Sequence, residues 1–171
     1  MYHFIYSRPL WLIIIAMIAA VLIWAYLVAR KPRGWKAINT ILAVLSLLAI
    51  LAITLLRHPA EGAGVCLIPF HAFAEAKHQP ELYREMLMNV FLFLPLGLTL
   101  PNILPTKSGN AIRIALTVIF GLLLSVGIEY LQYRYALGTA EVDDAICNTA
   151  GAWIGAGHLA ISRYITKHRS N

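Results

Sequence analysis

Apolar residues fall along this chain in long uninterrupted runs rather than in the stripes of a helix that is half exposed to water. Leu10–Ala29 and Ile38–Leu56 contain no ionisable side chain, and each meets the roughly 20 residues a bilayer crossing requires. Three further runs of comparable length carry polar residues: Met86–Leu104 contains Asn89, Pro95 and Pro101, Ile114–Leu131 contains Glu129, and Ala145–Ile165 contains Asn148, His158 and Arg163. The pattern predicts an all-α integral membrane protein. It is read as a bundle of about five transmembrane helices at about 10–29, 38–56, 86–104, 114–131 and 145–165, in a single membrane domain over 1–171. Between the second and third spans, Val65–Phe73 is apolar but too short to cross, which suits a re-entrant or interfacial segment roofing an outer cavity.

Composition agrees, with 60% hydrophobic and 13% charged residues among 171. The first run is longer than the core of a secretory signal and leads directly into Arg30, Lys31 and Arg33, so it reads as a retained anchor. Two cysteines, Cys66 and Cys147, are too few for a disulfide framework. A net charge of +6 would raise the question of nucleic acid in a soluble chain. Here the bases sort by membrane side instead, so the bilayer is the expected partner and nucleic acid is not. Arg30, Lys31, Arg33, Lys36, Lys107, Arg113, Arg163, Lys167 and Arg169 fall in one set of connections, against Arg8, Arg57, Lys77, Arg84 and Arg134 in the other. By the positive-inside rule this places the N-terminus outside and the C-terminus in the cytoplasm of a multi-pass protein of the cell membrane. Every loop acid (Glu61, Glu75, Glu81, Glu85, Glu141, Asp143, Asp144) then lies on the exterior side.

Acids near a bilayer are costly and mark candidate sites. On the fourth run Gly121, Ser125 and Glu129 recur every four residues and Gln132 follows at three, so all four share one helical face. On the fifth, Asp144, Asn148, Gly151 and Gly155 follow the same spacing, with Glu141 and Asp143 around the first turn, where acids also cap a helix and complement its dipole. Gly151 and Gly155 have the small-x-x-x-small spacing of close helix packing. Asn148 requires a partner inside the bundle, with Glu129 or Gln132 in reach. On the third run Asn89, Phe93 and Gly97 form a stripe, Pro95 is expected to bend the helix, and Arg84 is a counter-ion for Glu129 or for the acids of the last loop, or an interfacial anchor. Arg84, Asn89, Glu129, Gln132, Glu141, Asp144 and Asn148 are therefore the candidate ligand-binding residues. Were the protein an enzyme, Glu129, Glu141 and Asp144 would be the candidate acids and bases, although no motif is strong enough to assign a reaction. His71, Glu75 and His78 at i, i+4 and i+7 are a weak metal-ligand candidate on one helical face, and no cofactor is otherwise expected. His158 reads as a hydrogen-bonded core histidine.

Several of these pieces occur together in a recognisable order. Leu67-Ile68-Pro69-Phe70, then Arg84-Glu85-Met86, then Asn89 through Gly97, then Glu129 and Gln132, then Ala136 through Asp144, and finally Asn148-Thr149-Ala150-Gly151 with Gly155 resemble the VanZ-like membrane proteins over roughly 66–157. Many members have an arginine just before the acidic run, where this chain has Gly138, with Arg134 four residues upstream. The resemblance implies a multi-pass membrane protein linked to low-level resistance to teicoplanin and related lipoglycopeptides. Such ligands are amphiphiles of the outer leaflet. They suit a protein that binds or excludes an antibiotic or envelope lipid, with a carboxylate-dependent enzyme acting on an envelope lipid or peptidoglycan precursor as the alternative. A proton-coupled transporter would need an acidic relay into the cytoplasmic half, which the sequence lacks.

Overall fold

A computed structural model of the chain describes residues 10–30, 32–56, 64–79 and 81–169. Arg8, Lys31, Arg57 and Glu61, used in the charge argument, lie outside the described residues. The order of elements is α1 (Leu10–Arg30), α2 (Trp35–Leu55), β1 (Val65–Cys66), α3 (His71–Glu75), α4 (Glu81–Thr99), a 3-10 turn (Leu100–Asn102), α5 (Asn110–Arg134), β2 (Ala140–Glu141), α6 (Val142–Ala156) and α7 (His158–Arg169). The protein is an all-α membrane protein. Four helical stretches, Leu10–Arg30, Trp35–Leu55, Glu81–Asn102 and Asn110–Arg134, are long and apolar enough to cross a bilayer.

The fifth predicted run differs. It is built as α6 and α7, interrupted at Gly157, whose dihedrals stay right-handed. With 15 residues, α6 is about 22 Å long, short of the roughly 30 Å hydrocarbon core. The third run also begins earlier than its apolar pattern, because Glu81 through Glu85 form the first turns of α4, where Glu81 complements the helix dipole. Pro95 is accommodated within α4, which continues to Thr99, and the Thr99 hydroxyl donates to the Pro95 carbonyl at 2.8 Å.

α4 is the central helix. Its Phe93 and Leu96 pack with Ile50 of α2 and Ile128 of α5, while Leu94 and Leu98 pack with Met17 and Val21 of α1. Its third face meets α6, backbone to backbone. A Cβ on Gly151 would collide with the Val90 carbonyl, one on Gly97 with the Ala152 carbonyl, and one on Gly155 would lie 2.5 Å from the Leu94 carbonyl. The two helices approach this closely because hydrocarbon gives no hydrophobic drive for helix association, so contact area and dispersion must hold them.

Over 64–79 the chain forms neither a span nor a continuous helix. β1 pairs in parallel with β2, Val65 opposite Ala140 and Cys66 opposite Glu141, and α3 follows after a turn that leaves Leu67, Ile68 and Phe70 exposed. Substituting Gly151 by Ala is expected to cost at least about 1–3 kcal/mol through overpacking, read as a lower melting temperature of the purified protein. Gly127, whose added Cβ meets nothing within 4 Å, provides the opposite sign: Gly127→Ala should be neutral or stabilising, by up to about 1 kcal/mol.

Candidate functional site

The polar side chains of α4, α5 and α6 meet at the end of the bundle where α4 and α6 begin and α5 ends. On α5 the buried positions Thr117, Gly121, Ser125, Glu129 and Gln132 follow the helical repeat, so the face read from the spacing does point into the bundle. α6 lies against it. Asn148 is buried and donates through Nδ2 to Ser125 Oγ at 2.8 Å, and one turn above, Glu129 Oε2 accepts from the Glu141 backbone N–H at 3.0 Å. On the other side of α6, Asn89 of α4 donates to Asp144 Oδ1 at 2.6 Å.

These partners correct part of the sequence reading. Asn148 is held by Ser125 rather than by Glu129 or Gln132, because Asn148 sits a turn deeper than Asp144 and Ser125 is the α5 residue at that depth. Gln132 reaches α2 instead, donating to the Thr54 carbonyl at 3.1 Å. Arg84 is half-buried on α4. Arg134, the upstream arginine, lies over the Tyr135 ring at 5.9 Å. The Oδ1 atom of Asn148 is buried with no donor among the described residues, an arrangement that costs about 1–3 kcal/mol.

Asp143 is a capping residue, but for a distant helix. Its carboxylate accepts from the Phe70 N–H at 2.6 Å and the Ala72 N–H at 2.7 Å, more than 70 positions away, and it is 2% exposed. Those donors are the free amides at the start of α3, where Phe70 takes the left-handed conformation with φ 63°. The carboxylate and the β1–β2 pairing together fasten the 64–79 segment to the start of α6. This latch was missed in the sequence, where an acid at a helix start reads as capping its own helix.

The acidic run is aimed by the end of α5. Leu137 N–H donates to the Gln132 carbonyl at 2.9 Å and Ala136 N–H to the Tyr133 carbonyl at 3.3 Å, with Ala136 left-handed at φ 52°. This is a Schellman stop with alanine in the position glycine usually takes. Beyond it, Glu141 is half-buried. Burial, reinforced by the charges of Asp143, Glu85 and Glu75 and opposed by His71, pushes its carboxyl above the ordinary value. His71 and Glu75 pair at 3.5 Å on the exposed side of α3. The helix ends at Glu75, so His78 falls in the following turn and leaves the face on which the metal candidate depended. Among the described residues no group of three or more His, Cys, Asp or Glu is placed to hold a metal ion.

Two concavities lie near these helices, and neither is lined by Asn89, Glu129, Glu141, Asp144 or Asn148. One, of about 430 Å³, is lined by Leu55, Leu131, Tyr135 and Leu137 and abuts the Thr54–Gln132 contact. The other, of about 440 Å³, is wholly apolar and lies between α1, α4 and α7.

A family model described as VanZ/LLP1 matches residues 10–163, from the start of α1 through the first half of α7, the latch included. The chain belongs to the VanZ/LLP1 family. Protein VanZ of Enterococcus faecium is similar to it, 37% identical over 73 residues, a stretch covering 43% of this chain and 42% of that protein. The chain thus aligns with less than half the length of that relative. No solved structure matches it.

Two predictions concern the latch and its neighbour in this VanZ/LLP1 family member. Asp143→Asn removes one of two charged acceptors, and amide exchange at Phe70 and Ala72 should rise at least about tenfold, since bonds to charged groups contribute about 1.5–3 kcal/mol; unchanged exchange would show that the cap does not hold α3. For Glu141, ionisation opposes the fold above its raised value, and the penalty vanishes once the carboxyl is protonated. Glu141→Gln should therefore melt higher than the parent at about pH 8, and the difference should close by about pH 4. A difference between variant and parent that stays constant or widens from about pH 8 to about pH 4 would contradict the assignment.

Proposed function

We propose that the end of the bundle built by α4, α5 and α6 binds the polar part of an amphiphilic envelope ligand, and that through this contact the chain contributes to low-level resistance to teicoplanin and related lipoglycopeptides. The reading rests on one observation above the others. Asn89, Glu129, Glu141, Asp144 and Asn148, drawn from α4, α5, β2 and α6, gather at one end of the bundle through the pairs Asn89–Asp144, Glu129–Glu141 and Asn148–Ser125, and Leu55, Leu131, Tyr135 and Leu137 line an apolar concavity toward the same end, which is the division of character an amphiphile needs. The concavity of about 430 Å³ falls within the roughly 300–1,000 Å³ usual for small-ligand pockets. The undonated Oδ1 of Asn148 supplies a buried acceptor for a polar group.

In this reading the region faces the exterior, as the distribution of Lys and Arg expects, with the N-terminus outside and the C-terminus cytoplasmic. Lipoglycopeptides reach peptidoglycan precursors from that side and carry an acyl tail for which Leu55, Leu131, Tyr135 and Leu137 provide a surface. Binding is favoured over acid–base catalysis because Glu129 and Asp144 both have oxygens engaged as acceptors within the fold. Similarity to Protein VanZ of Enterococcus faecium is consistent with the resistance role.

The test is protection of a teicoplanin-susceptible host expressing the full chain. Glu129→Gln, Asp144→Asn and Asn148→Ala should each return the inhibitory concentration to the level without the protein, at unchanged membrane abundance. Glu81→Gln, an exposed acid in the first turn of α4, should retain protection. Full protection by all three variants would remove this site from the function. Envelope lipid and muropeptide profiles with and without the protein separate the two chemistries: an unchanged profile accompanies binding, and a new or missing species would replace it with catalysis.

A further inference from the structure

A second polar cluster lies at the opposite end of the bundle, and it has no acid in it. Asn102, at the end of the 3-10 turn, donates through Nδ2 to Asn39 Oδ1 of α2 at 3.0 Å and lies 3.2 Å from His158 Nε2 of α7. The His158 ring, wholly buried, approaches the Gly155 carbonyl through Nδ1 at 2.7 Å; a carbonyl only accepts, so Nδ1 carries the proton and Nε2 is an acceptor facing the Asn102 carboxamide, whose Nδ2 also donates to the Leu98 carbonyl at 2.7 Å. Asn110, the first residue of α5, donates to the Leu159 carbonyl at 3.2 Å, tying α5 to α7. Three connections that are far apart in sequence thus meet at one level.

Arg113 is inside this cluster. It had been counted as a loop base, yet it sits in the second turn of α5 and is 7% exposed. Nε donates to the Pro101 carbonyl at 2.7 Å and Nη1 to Asn110 Oδ1 at 3.3 Å, and both acceptors are neutral. Among the described residues no carboxylate pairs with it. Every described acid lies on α3, in the first turns of α4 or α6, at β2, or in the last two turns of α5, all at the other end. The helix ends and connections at this end instead contribute Arg30, Arg33, Lys36 and Lys107. A guanidinium largely withdrawn from water with only neutral partners bears a desolvation cost that an anion would offset. The start of α5 adds to this, since Gly109 offers no side-chain cap and leaves the positive end of a 25-residue helix dipole at the same level.

We propose that Arg113, held by Asn110 and the Pro101 carbonyl, is a binding site for a phosphate diester anion, supplied by the headgroup of an anionic phospholipid at the basic end of the bundle. Phosphate chemistry fits because a guanidinium engages two oxygens through a planar pair of donors, and two of the five donors of Arg113 are already engaged by the fold. The lipid is its source because the site lies between helices of a membrane protein, at the level where its loop bases gather. The site is separate from the acidic end and does not depend on the role assigned there.

The test is titration of the purified full-length protein in neutral detergent with phosphatidylglycerol, phosphatidylcholine or inorganic phosphate, read by native mass spectrometry and by melting temperature. Phosphatidylglycerol should bind at least about tenfold more tightly than phosphatidylcholine, and inorganic phosphate should not displace it at equal concentration. Asn110→Asp places a carboxylate on the Nη1 of Arg113 as an internal counter-ion, and should abolish that preference while keeping or raising the melting temperature without lipid. Arg163→Gln makes the same one-unit change in net charge on an exposed residue and should leave the preference intact. Equal binding of the two lipids, equal losses in the two variants, or full displacement by inorganic phosphate would each overturn the proposal. Arg113→Gln should also lose the preference; the Asn110→Asp comparison holds even if that variant does not fold.

Discussion

Everything at the acidic end depends on how near α6 can come to α4. Their axes are set by glycine against backbone, with Gly151, Gly155 and Gly97 each facing a carbonyl or another glycine. At a wider separation Asn89 would not reach Asp144, and α6 could not touch α4 and α5 at once. The other face of α6 is similarly tight: a Cβ on Gly121 would lie 2.8 Å from the Ala152 methyl. Small residues on three helices therefore fix the geometry that the polar residues then use. Each hydrogen bond there contributes about 1 kcal/mol on its own, whereas the contact along the whole helix decides whether those bonds can form.

The two ends of the bundle are electrostatic opposites, and each solves the problem of buried polarity differently. At the acidic end, carboxylates meet backbone amides and amide side chains: Asp143 satisfies two N–H groups, Glu129 one, and Asp144 an asparagine. At the basic end, asparagine carboxamides and a neutral histidine link helices, and the buried Arg113 rests on neutral oxygens. Between them lies an apolar core around Phe93, Ile50, Leu96 and Ile128. Membership in the VanZ/LLP1 family spans this entire arrangement, both ends included.

Periodicity made much of this legible. The lengths of the apolar runs gave four of the helices, the four-residue recurrence of Gly121, Ser125 and Glu129 identified the buried face of α5, and the spacing of Gly151 and Gly155 identified a packing seam. What escaped was anything decided by which residue faces which at a given depth. Asn148 was expected to meet Glu129 or Gln132 of α5, and only the tertiary register selects Ser125. Asp143 reads locally as a cap for its own helix, since nothing within the chain's short range reveals amides 71 and 73 residues away. Arg113 was placed outside the bilayer because hydropathy windows end at a charge, whereas the helix continues past it. Gly157 gave no warning either, because a glycine-rich apolar run is as good a description of one helix as of two.

The latch between Asp143 and the start of α3 imposes an order on biogenesis. A ribosome exposes Phe70 and Ala72 long before it has polymerised the carboxylate that holds them, so during that interval the segment around β1 must wait without its strand partner or its cap. Contacts of such long sequence separation form late, after the chain has met the loop-closure cost. The acidic end is accordingly sealed only once α6 has begun, and a nascent chain truncated before Asp143 would carry four long apolar helices but an unfastened 64–79 segment.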